Sequence, residues 1–125
     1  MSKPTFYHCT KCGNVIGMLK DAGVRIICCG DPMQVLTANT VDASREKHVP
    51  VIEHGADGTM TAKIGSVMHP MTPEHHIEWI AYMSAGETHR LQLVVDKDPQ
   101  AVFPDKTEGE VYAFCNLHGL WKTEI

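Results

Sequence analysis

Four cysteines near the start of the chain constrain its fold more than any other feature. Two residues separate the first pair and none separates the second, and the four are Cys9, Cys12, Cys28 and Cys29. The segment around them has too few apolar residues to build a core, so a structural metal would have to supply the missing stability. Four thiolates on two turns are enough for a tetrahedral S4 site, which suits either zinc or iron. Because consecutive side chains normally diverge, chelation by both Cys28 and Cys29 should distort the local backbone.

Disulfides or buried apolar thiols are the alternative explanation of these cysteines. The chain has five cysteines, so they cannot all pair with one another. Residues 1–6 contain no apolar signal core, and no apolar run approaches the ~20 residues of a membrane span. We therefore expect a cytoplasmic protein, in which disulfides are rare and metal binding explains the cysteines better.

The charge of the chain argues against nucleic acid as a partner. The formal net charge is −4, and the basic residues form no stripe. Residues 1–36 contain four basic and two acidic residues, or +2, which leaves −6 for the remainder. An acidic domain that handles an anion would need local attraction, from a metal and a nearby lysine.

The distribution of β-prone runs predicts an all-β chain of two domains. Residues 1–37 would form a small metal-stapled domain and residues 38–125 an antiparallel β-sandwich or barrel, with a linker at about residues 38–46. The predicted strands are residues 5–8, 24–27, 49–53, 60–64, 76–83, 91–95 and 111–114. Period-two alternation places two sets of side chains on core faces, namely Ile77, Trp79, Ala81 and Met83, and Leu91, Leu93 and Val95. No segment shows a helical period with caps.

A second group of potential metal ligands is spread over the later part of the chain. Taken alone, Cys115 and His118 are better explained as a buried thiol and a surface imidazole. Two histidine-bearing segments change this balance. One is a charged strand entry with His48, and the other is a proline-rich loop with His69, His75 and His76. Loops at one end of a sandwich can bring such segments together.

The chemistry of such a group would be that of a redox metal with an open position. Four neutral imidazoles and one thiolate leave the position opposite the sulfur free, and the thiolate pushes electron density toward whatever binds there. The chain has no clear set of two histidines and one carboxylate, which argues against the common non-haem oxygenase arrangement.

Several short motifs of the chain resemble those of one known family. They are the spaced N-terminal cysteines, Glu46-Lys47-His48-Val49-Pro50, His69-Pro70-Met71 with His75 and Ile77-x-Trp79-Ile80, and Cys115-Asn116-Leu117-His118-Gly119. In this order and spacing, from Cys9 to Trp121, they are similar to the desulfoferrodoxins. These are two-iron superoxide reductases with a desulforedoxin-like N-terminal domain.

The resemblance implies two iron centres. One is an Fe(Cys)4 centre on the four N-terminal cysteines. The other is a catalytic ferrous centre with Cys115 as the axial ligand and four histidines in a plane, His48, His69, His75 and His118; the family spacing selects His75 over its neighbour His76. By the same resemblance, Glu46 would occupy the sixth position in the resting ferric state, and Lys47 would assist the incoming anion. An immunoglobulin-like sandwich, a homodimer and a rubredoxin-like electron donor are also implied.

The activity implied by the resemblance is superoxide reduction in oxygen detoxification. One electron would convert superoxide to hydrogen peroxide without forming dioxygen, at the second iron. The first would serve electron transport or stabilise the dimer. A rubredoxin-like electron carrier is one alternative, but it leaves the histidine and cysteine set unexplained. The other is a zinc-ribbon binding module, which would carry zinc in place of iron.

Overall fold

The protein is built almost entirely of antiparallel strands in two compact units. The computed structural model describes residues 5–125. The N-terminal unit ends at Thr37, and the C-terminal unit runs from Ala38 to Ile125. Within residues 5–125, no helix is long and apolar enough to cross a membrane.

The N-terminal unit contains five very short strands. These are β1 Phe6–His8, β2 Val15–Gly17, β3 Ile27–Cys28, β4 Asp31–Pro32 and β5 Gln34–Leu36. Strands β2, β1 and β5 form one sheet in that order, and β3 pairs with β4 as a separate hairpin. The strand predicted at residues 24–27 is wrong except at Ile27, and three strands were not predicted. Strands of two or three residues leave almost no periodic signal in the sequence.

The C-terminal unit is a sandwich of two antiparallel sheets. Its elements are α1 Arg45–His48, β6 Pro50–His54, β7 Thr59–Ile64, β8 Ile77–Met83, β9 Thr88–Gln92, β10 Gln100–Pro104, β11 Glu110–Cys115 and β12 Gly119–Glu124. One sheet has the order β10-β7-β6 and the other the order β12-β11-β8-β9. The first, second and fifth strands of the unit thus share one sheet, as in immunoglobulin-like folds, and the predicted all-β sandwich is confirmed.

The core of the sandwich lies between the two sheets. From β7 and β11, alternate residues are fully buried in it, namely Met60, Ala62 and Ile64, and Val111, Ala113 and Cys115. Period-two alternation therefore operates as expected on these strands, and it places the thiol of Cys115 at the end of the core.

Strand β8 corrects the predicted core face. Of the four residues predicted on one core face, Ile77 joins the core cluster, Trp79 and Ala81 are buried outside that cluster, and Met83 is half-buried; Ile80 and Tyr82 join the cluster instead. The pairing of β8 with β11 is irregular between Phe114 and Cys115. Such a bulge reverses which alternate residues face inward. Trp79 is nevertheless buried, and its indole stacks on the Phe114 ring with centroids 5.7 Å apart.

Other differences concern the ends and edges of the sandwich. Strand β9 lies at Thr88–Gln92 rather than 91–95, so Leu91 is exposed while Leu93 packs against the core. Strands β10 and β12 were not predicted. The predicted linker contains part of the short helix α1, and Asn39 within it accepts and donates hydrogen bonds with the backbone of Lys122 on β12. Tertiary hydrogen bonds, which local periodicity does not encode, hold this segment in place.

Candidate metal centres

The four N-terminal cysteines converge as their spacing predicts. Their sulfur atoms all lie within 4.8 Å of one another, and those of Cys12 and Cys28 are 3.6 Å apart. A tetrahedral metal with bonds of about 2.3 Å to sulfur would hold the sulfurs about 3.8 Å apart, so the group is compact enough to chelate one ion. We call these residues the four-cysteine cluster.

The backbone of the four-cysteine cluster is shaped for thiolates. Cys29 has a φ of 53°, in the left-handed region, which is the local distortion expected from two adjacent chelating cysteines. Backbone N–H groups of Cys12 and Lys11 face the sulfur of Cys9 and lower its pKa to about 6, with the Cys12 nitrogen 3.5 Å away. These N–H groups stabilise the charged form of the sulfur, which is the form that binds metal.

The second cluster is assembled at one end of the sandwich, where five chain segments meet. In one sheet, Pro50 at the start of β6 pairs with Ile64 at the end of β7, so His48 and His69 lie beyond the same edge. In the other sheet, Cys115 ends β11 opposite Ile77 at the start of β8 and Gly119 at the start of β12. His118 directly precedes β12, and His75 lies two residues before β8. We call His48, His69, His75, His118 and Cys115 the His–Cys cluster.

The four imidazoles of this cluster form a closed square. Going round it, the ring centroids of His48, His69, His75 and His118 are 4.6, 4.6, 5.1 and 4.9 Å apart, and the diagonal from His48 to His75 is 6.4 Å. Neighbouring rings are nearly perpendicular, at 75° to 83°. The sulfur of Cys115 lies 3.5 Å from Nε2 of His69 and 3.8 Å from Nδ1 of His118.

The ring nitrogens inside the square carry lone pairs rather than protons. Nδ1 of His48 donates to the Ser44 carbonyl at 2.6 Å, and Nδ1 of His69 donates to the Pro70 carbonyl at 2.7 Å. A neutral imidazole carries only one N–H, so Nε2 of both rings is unprotonated. These two Nε2 atoms nevertheless lie 3.2 Å apart. The Nδ1 atom of His118 lies 3.1 Å from Nε2 of His48. Two lone pairs at this distance repel each other unless a cation lies between them.

A metal ion satisfies this arrangement. A square of nitrogens about 2.1 Å from one ion has sides of about 3.0 Å, close to the observed separations. Nε2 of His75 is buried and has no hydrogen-bond partner in the part of the chain that the structure describes. A ligand bond to metal would satisfy this nitrogen, because such buried polar atoms are rarely left unpaired. The donor set therefore fits a metal ion.

Burial sets the protonation of the cluster in the same direction. It lowers the pKa of His48 and His75, and that of His69 to about 4, so these three imidazoles stay neutral at pH 7. The positive charge of Lys47 adds to this lowering for His48 and His75. Burial also raises the pKa of the Cys115 thiol, so a cation is needed to hold its sulfur as a thiolate.

The remaining predicted site residues lie around the cluster. Glu46 and Lys47 are exposed on α1, directly before His48. Among residues 5–125, the ligand atoms that all lie within 4.8 Å of one another belong to His48, His69, His75 and Cys115, and include neither Glu46 nor His118, whose Nδ1 is 3.1 Å from Nε2 of His48. The structure brings His75 into the group and not His76, whose Nδ1 donates to the Thr72 carbonyl at 2.9 Å.

Trp121 is a further contact residue of the His–Cys cluster. Its indole stacks on His48 at 4.7 Å, and its N–H donates to the His118 carbonyl at 3.1 Å. The only sequence signal was its place three residues after His118.

Comparison with known proteins matches both units of the chain. The family described as desulfoferrodoxin matches residues 40–124, and that of the desulfoferrodoxin N-terminal domain matches residues 2–36. A desulfoferrodoxin of Syntrophotalea carbinolica is 46% identical over 119 residues, covering 94% of each chain. The structure is similar to that of the superoxide reductase from Treponema pallidum, with a TM-score of 0.77, 34% identity, and coverage of 98% of this chain and 99% of that one. A superoxide reductase of Giardia intestinalis, titled 1Fe-SOR, has a TM-score of 0.55 and 28% identity, and covers 64% of this chain and 97% of its own. The chain belongs to the desulfoferrodoxin family.

Proposed function

We propose that the protein is a superoxide reductase whose catalytic metal, iron, is held by the His–Cys cluster. The observation that carries this proposal is the square of four imidazoles with the Cys115 sulfur beside it. Five ligands from the protein leave one coordination position for a small molecule, which a closed structural zinc site does not offer. When bound, the iron supplies the one electron that, with two protons, converts superoxide to hydrogen peroxide.

Burial within the cluster directs where superoxide can approach. Cys115 is completely buried, and His48 and His69 are each 2% exposed, whereas His75 and His118 are half-buried. An anion from solvent therefore reaches the square from the face away from the sulfur. The buried side chains around Cys115 keep water away from its thiolate. Without water, the charge of the thiolate acts more strongly on the metal.

Lys47 is the group that attracts the substrate. Residues 37–125 are acidic overall, so the domain as a whole repels an anion. Lys47 is adjacent to His48, and its charge reaches the imidazoles, as its effect on the pKa of His75 indicates. We assign to its ammonium group both the local attraction and the orientation of a water that delivers protons to the peroxide. Glu46, one residue earlier, is assigned to the sixth position of the ferric state after product has left.

The four-cysteine cluster is assigned to a second iron that carries electrons and is not needed for the chemistry. The superoxide reductase (1Fe-SOR) of Giardia intestinalis matches only 64% of this chain. That supports catalysis by the C-terminal unit. A rubredoxin-like donor would return the electron after each turnover.

We further propose a cytoplasmic homodimer. All five cysteines are free, as they remain in a reducing compartment. The N-terminal unit exposes four large apolar side chains by more than half, namely Leu19, Val24, Ile27 and Val35. A second copy of the chain would cover such residues. Sedimentation equilibrium tests this, and a monomer at micromolar concentration would overturn it.

The test of function uses the whole chain loaded with iron. We expect two irons per chain, and one hydrogen peroxide formed per superoxide consumed by the reduced protein, with no dioxygen released. The Cys12→Ser variant should lose the first iron and keep the peroxide yield. The His75→Ala variant should lose the peroxide yield. A colourless protein loaded with zinc after expression in iron-replete cells would favour a zinc-ribbon module. Iron-loaded protein that yields no peroxide would favour an electron carrier.

A further inference from the structure

The position of His75 is determined differently from that of its neighbours in the His–Cys cluster. The rings of His48 and His69 are each oriented directly, because Nδ1 donates to a backbone carbonyl, that of Ser44 or Pro70. No such ring hydrogen bond is found for His75 within residues 5–125, and its buried Nε2 has no partner there. His75 also lies outside the strands, on the loop before β8. Apart from its packing against the other imidazoles of the square, its ring is positioned through its backbone.

We infer that Asn116 is a positioning residue that fixes His75 relative to Cys115. Its side-chain Oδ1 accepts a hydrogen bond from the His76 N–H at 2.9 Å, and its Nδ2 donates to the Glu74 carbonyl at 3.0 Å. One side chain thus holds the backbone on both sides of His75. The backbone N–H of Asn116 also donates to the His76 carbonyl at 3.1 Å.

The same residue is covalently joined to Cys115. The amide of Asn116 therefore connects two ligands that are 40 residues apart in sequence, the thiolate and the imidazole, through a single rigid fork. Thr72 closes the other side of the loop, because its Oγ1 donates to the His75 carbonyl and accepts from the His75 N–H. Groups that orient metal ligands from behind typically change metal affinity by roughly 10- to 100-fold when removed.

The inference rests on the proposed metal site but not on its reaction with superoxide. Its test is metal retention by the full-length iron-loaded protein. Asn116→Ala removes both side-chain hydrogen bonds, and we expect the second iron to transfer to a chelator roughly 10- to 100-fold faster than in the parent. The visible band arising from the thiolate of Cys115 should shift as well, because the sulfur and the imidazole lose their common support.

A second variant grades the effect. Asn116→Asp keeps the acceptor for the His76 N–H but sets an oxygen against the Glu74 carbonyl in place of the Nδ2 donor. We expect release of the second iron at a rate between those of the parent and Asn116→Ala. The iron of the four-cysteine cluster serves as an internal standard, and its release should not change in either variant.

Asn39 provides a matched control. It is a half-buried asparagine of the same unit, and its side chain also forms two hydrogen bonds to backbone, both with Lys122, at 3.1 and 2.9 Å. It flanks no cluster histidine. Because Asn39 has a φ of 61°, which alanine tolerates poorly, Asn39→Ala should lower the melting temperature at least as much as Asn116→Ala, while iron release and the thiolate band stay as in the parent.

Two results would overturn the role of Asn116. One is iron release and a thiolate band in Asn116→Ala that match those of the parent. The other is an equal acceleration of iron release in Asn39→Ala, which would assign the effect to general loss of stability. Failure of the parent protein to hold a second iron would instead refute the proposed function.

Discussion

Replacing Trp121 should weaken the His–Cys cluster as well as the core. The indole is 1% exposed and touches two members of the cluster, with its face on His48 and its N–H on the His118 carbonyl. Trp121→Phe keeps an aromatic face but removes the donor. A buried carbonyl left without its partner costs about 1–3 kcal/mol. Trp121→Leu also removes the ring stack, worth about 0.5–1.5 kcal/mol, and leaves a cavity, for a total of about 3–5 kcal/mol.

These costs translate into measurable melting shifts. In a unit of this size, each kcal/mol lowers the melting temperature by about 4–8 °C, so Trp121→Phe should melt roughly 5–20 °C below the parent. The assay is thermal unfolding of the iron-loaded and the metal-free protein, followed by circular dichroism. If Trp121 orients the ligands, the iron-loaded form loses more stability than the metal-free form, because metal binding must then reorganise both rings. A difference of about 1.4 kcal/mol corresponds to a tenfold loss of metal affinity.

Trp79→Phe is the control for this prediction. Trp79 is also a buried tryptophan, but its indole stacks on Phe114 rather than on a cluster imidazole. The Trp79→Phe variant should lose the same amount of stability in the iron-loaded and in the metal-free protein. Equal losses for Trp121→Phe in the iron-loaded and metal-free protein would refute the reasoning, and so would melting temperatures that match the parent.

Three further predictions concern residues 46–49 and Gly65, which packs against them. Lys47→Ala should slow superoxide capture roughly tenfold at low ionic strength and weaken its salt dependence, as measured by pulse radiolysis, while Lys47→Arg keeps the parent rate. Glu46→Ala should still reduce superoxide but change the visible spectrum of the ferric protein. Gly65→Ala should cost about 1–3 kcal/mol in unfolding free energy and loosen the second iron, because the added Cβ would lie 2.6 Å from the Glu46 carbonyl oxygen and 3.0 Å from that of Val49. Gly86→Ala, where a Cβ meets nothing within 4 Å, is its control and should leave both unchanged.

Each of these has a contrary outcome. A Lys47→Ala rate equal to the parent at low salt would remove the attraction assigned to that residue. An unchanged ferric spectrum would remove Glu46 from the metal's ligands. For Gly65→Ala, a melting temperature no lower than that of Gly86→Ala would mean that the loop yields to the added methyl group without moving α1.

Much of the architecture could be predicted from local patterns. The runs predicted as strands at residues 60–64 and 111–114 are strands β7 and β11, and alternate residues of both form the core. Strand β8 does not keep the predicted alternation, because a bulge within it, at Glu78, changes the phase of alternation, and a bulge depends on how two strands pair. The helix α1 was missed because it has only four residues and no side-chain cap. It is held from outside, by hydrogen bonds from Val67 and Ser66 to the Glu46 carbonyl.

Sequence and tertiary structure contributed different parts of the two clusters. The four-cysteine cluster is local, because turns between nearby cysteines suffice to bring sulfurs together, so spacing alone predicted it and even the distorted backbone at Cys29. The ligand types of the His–Cys cluster could also be read from the sequence. Its square, however, is built at strand ends that sheet pairing brings together. The rings of His48 and His69 are oriented by carbonyls nearby in the chain, whereas the backbone on either side of His75 is held by the distant side chain of Asn116. The direction of His75, the stack of Trp121 and the fork of Asn116 follow from contacts between residues 40 to 73 positions apart, which no local pattern encodes.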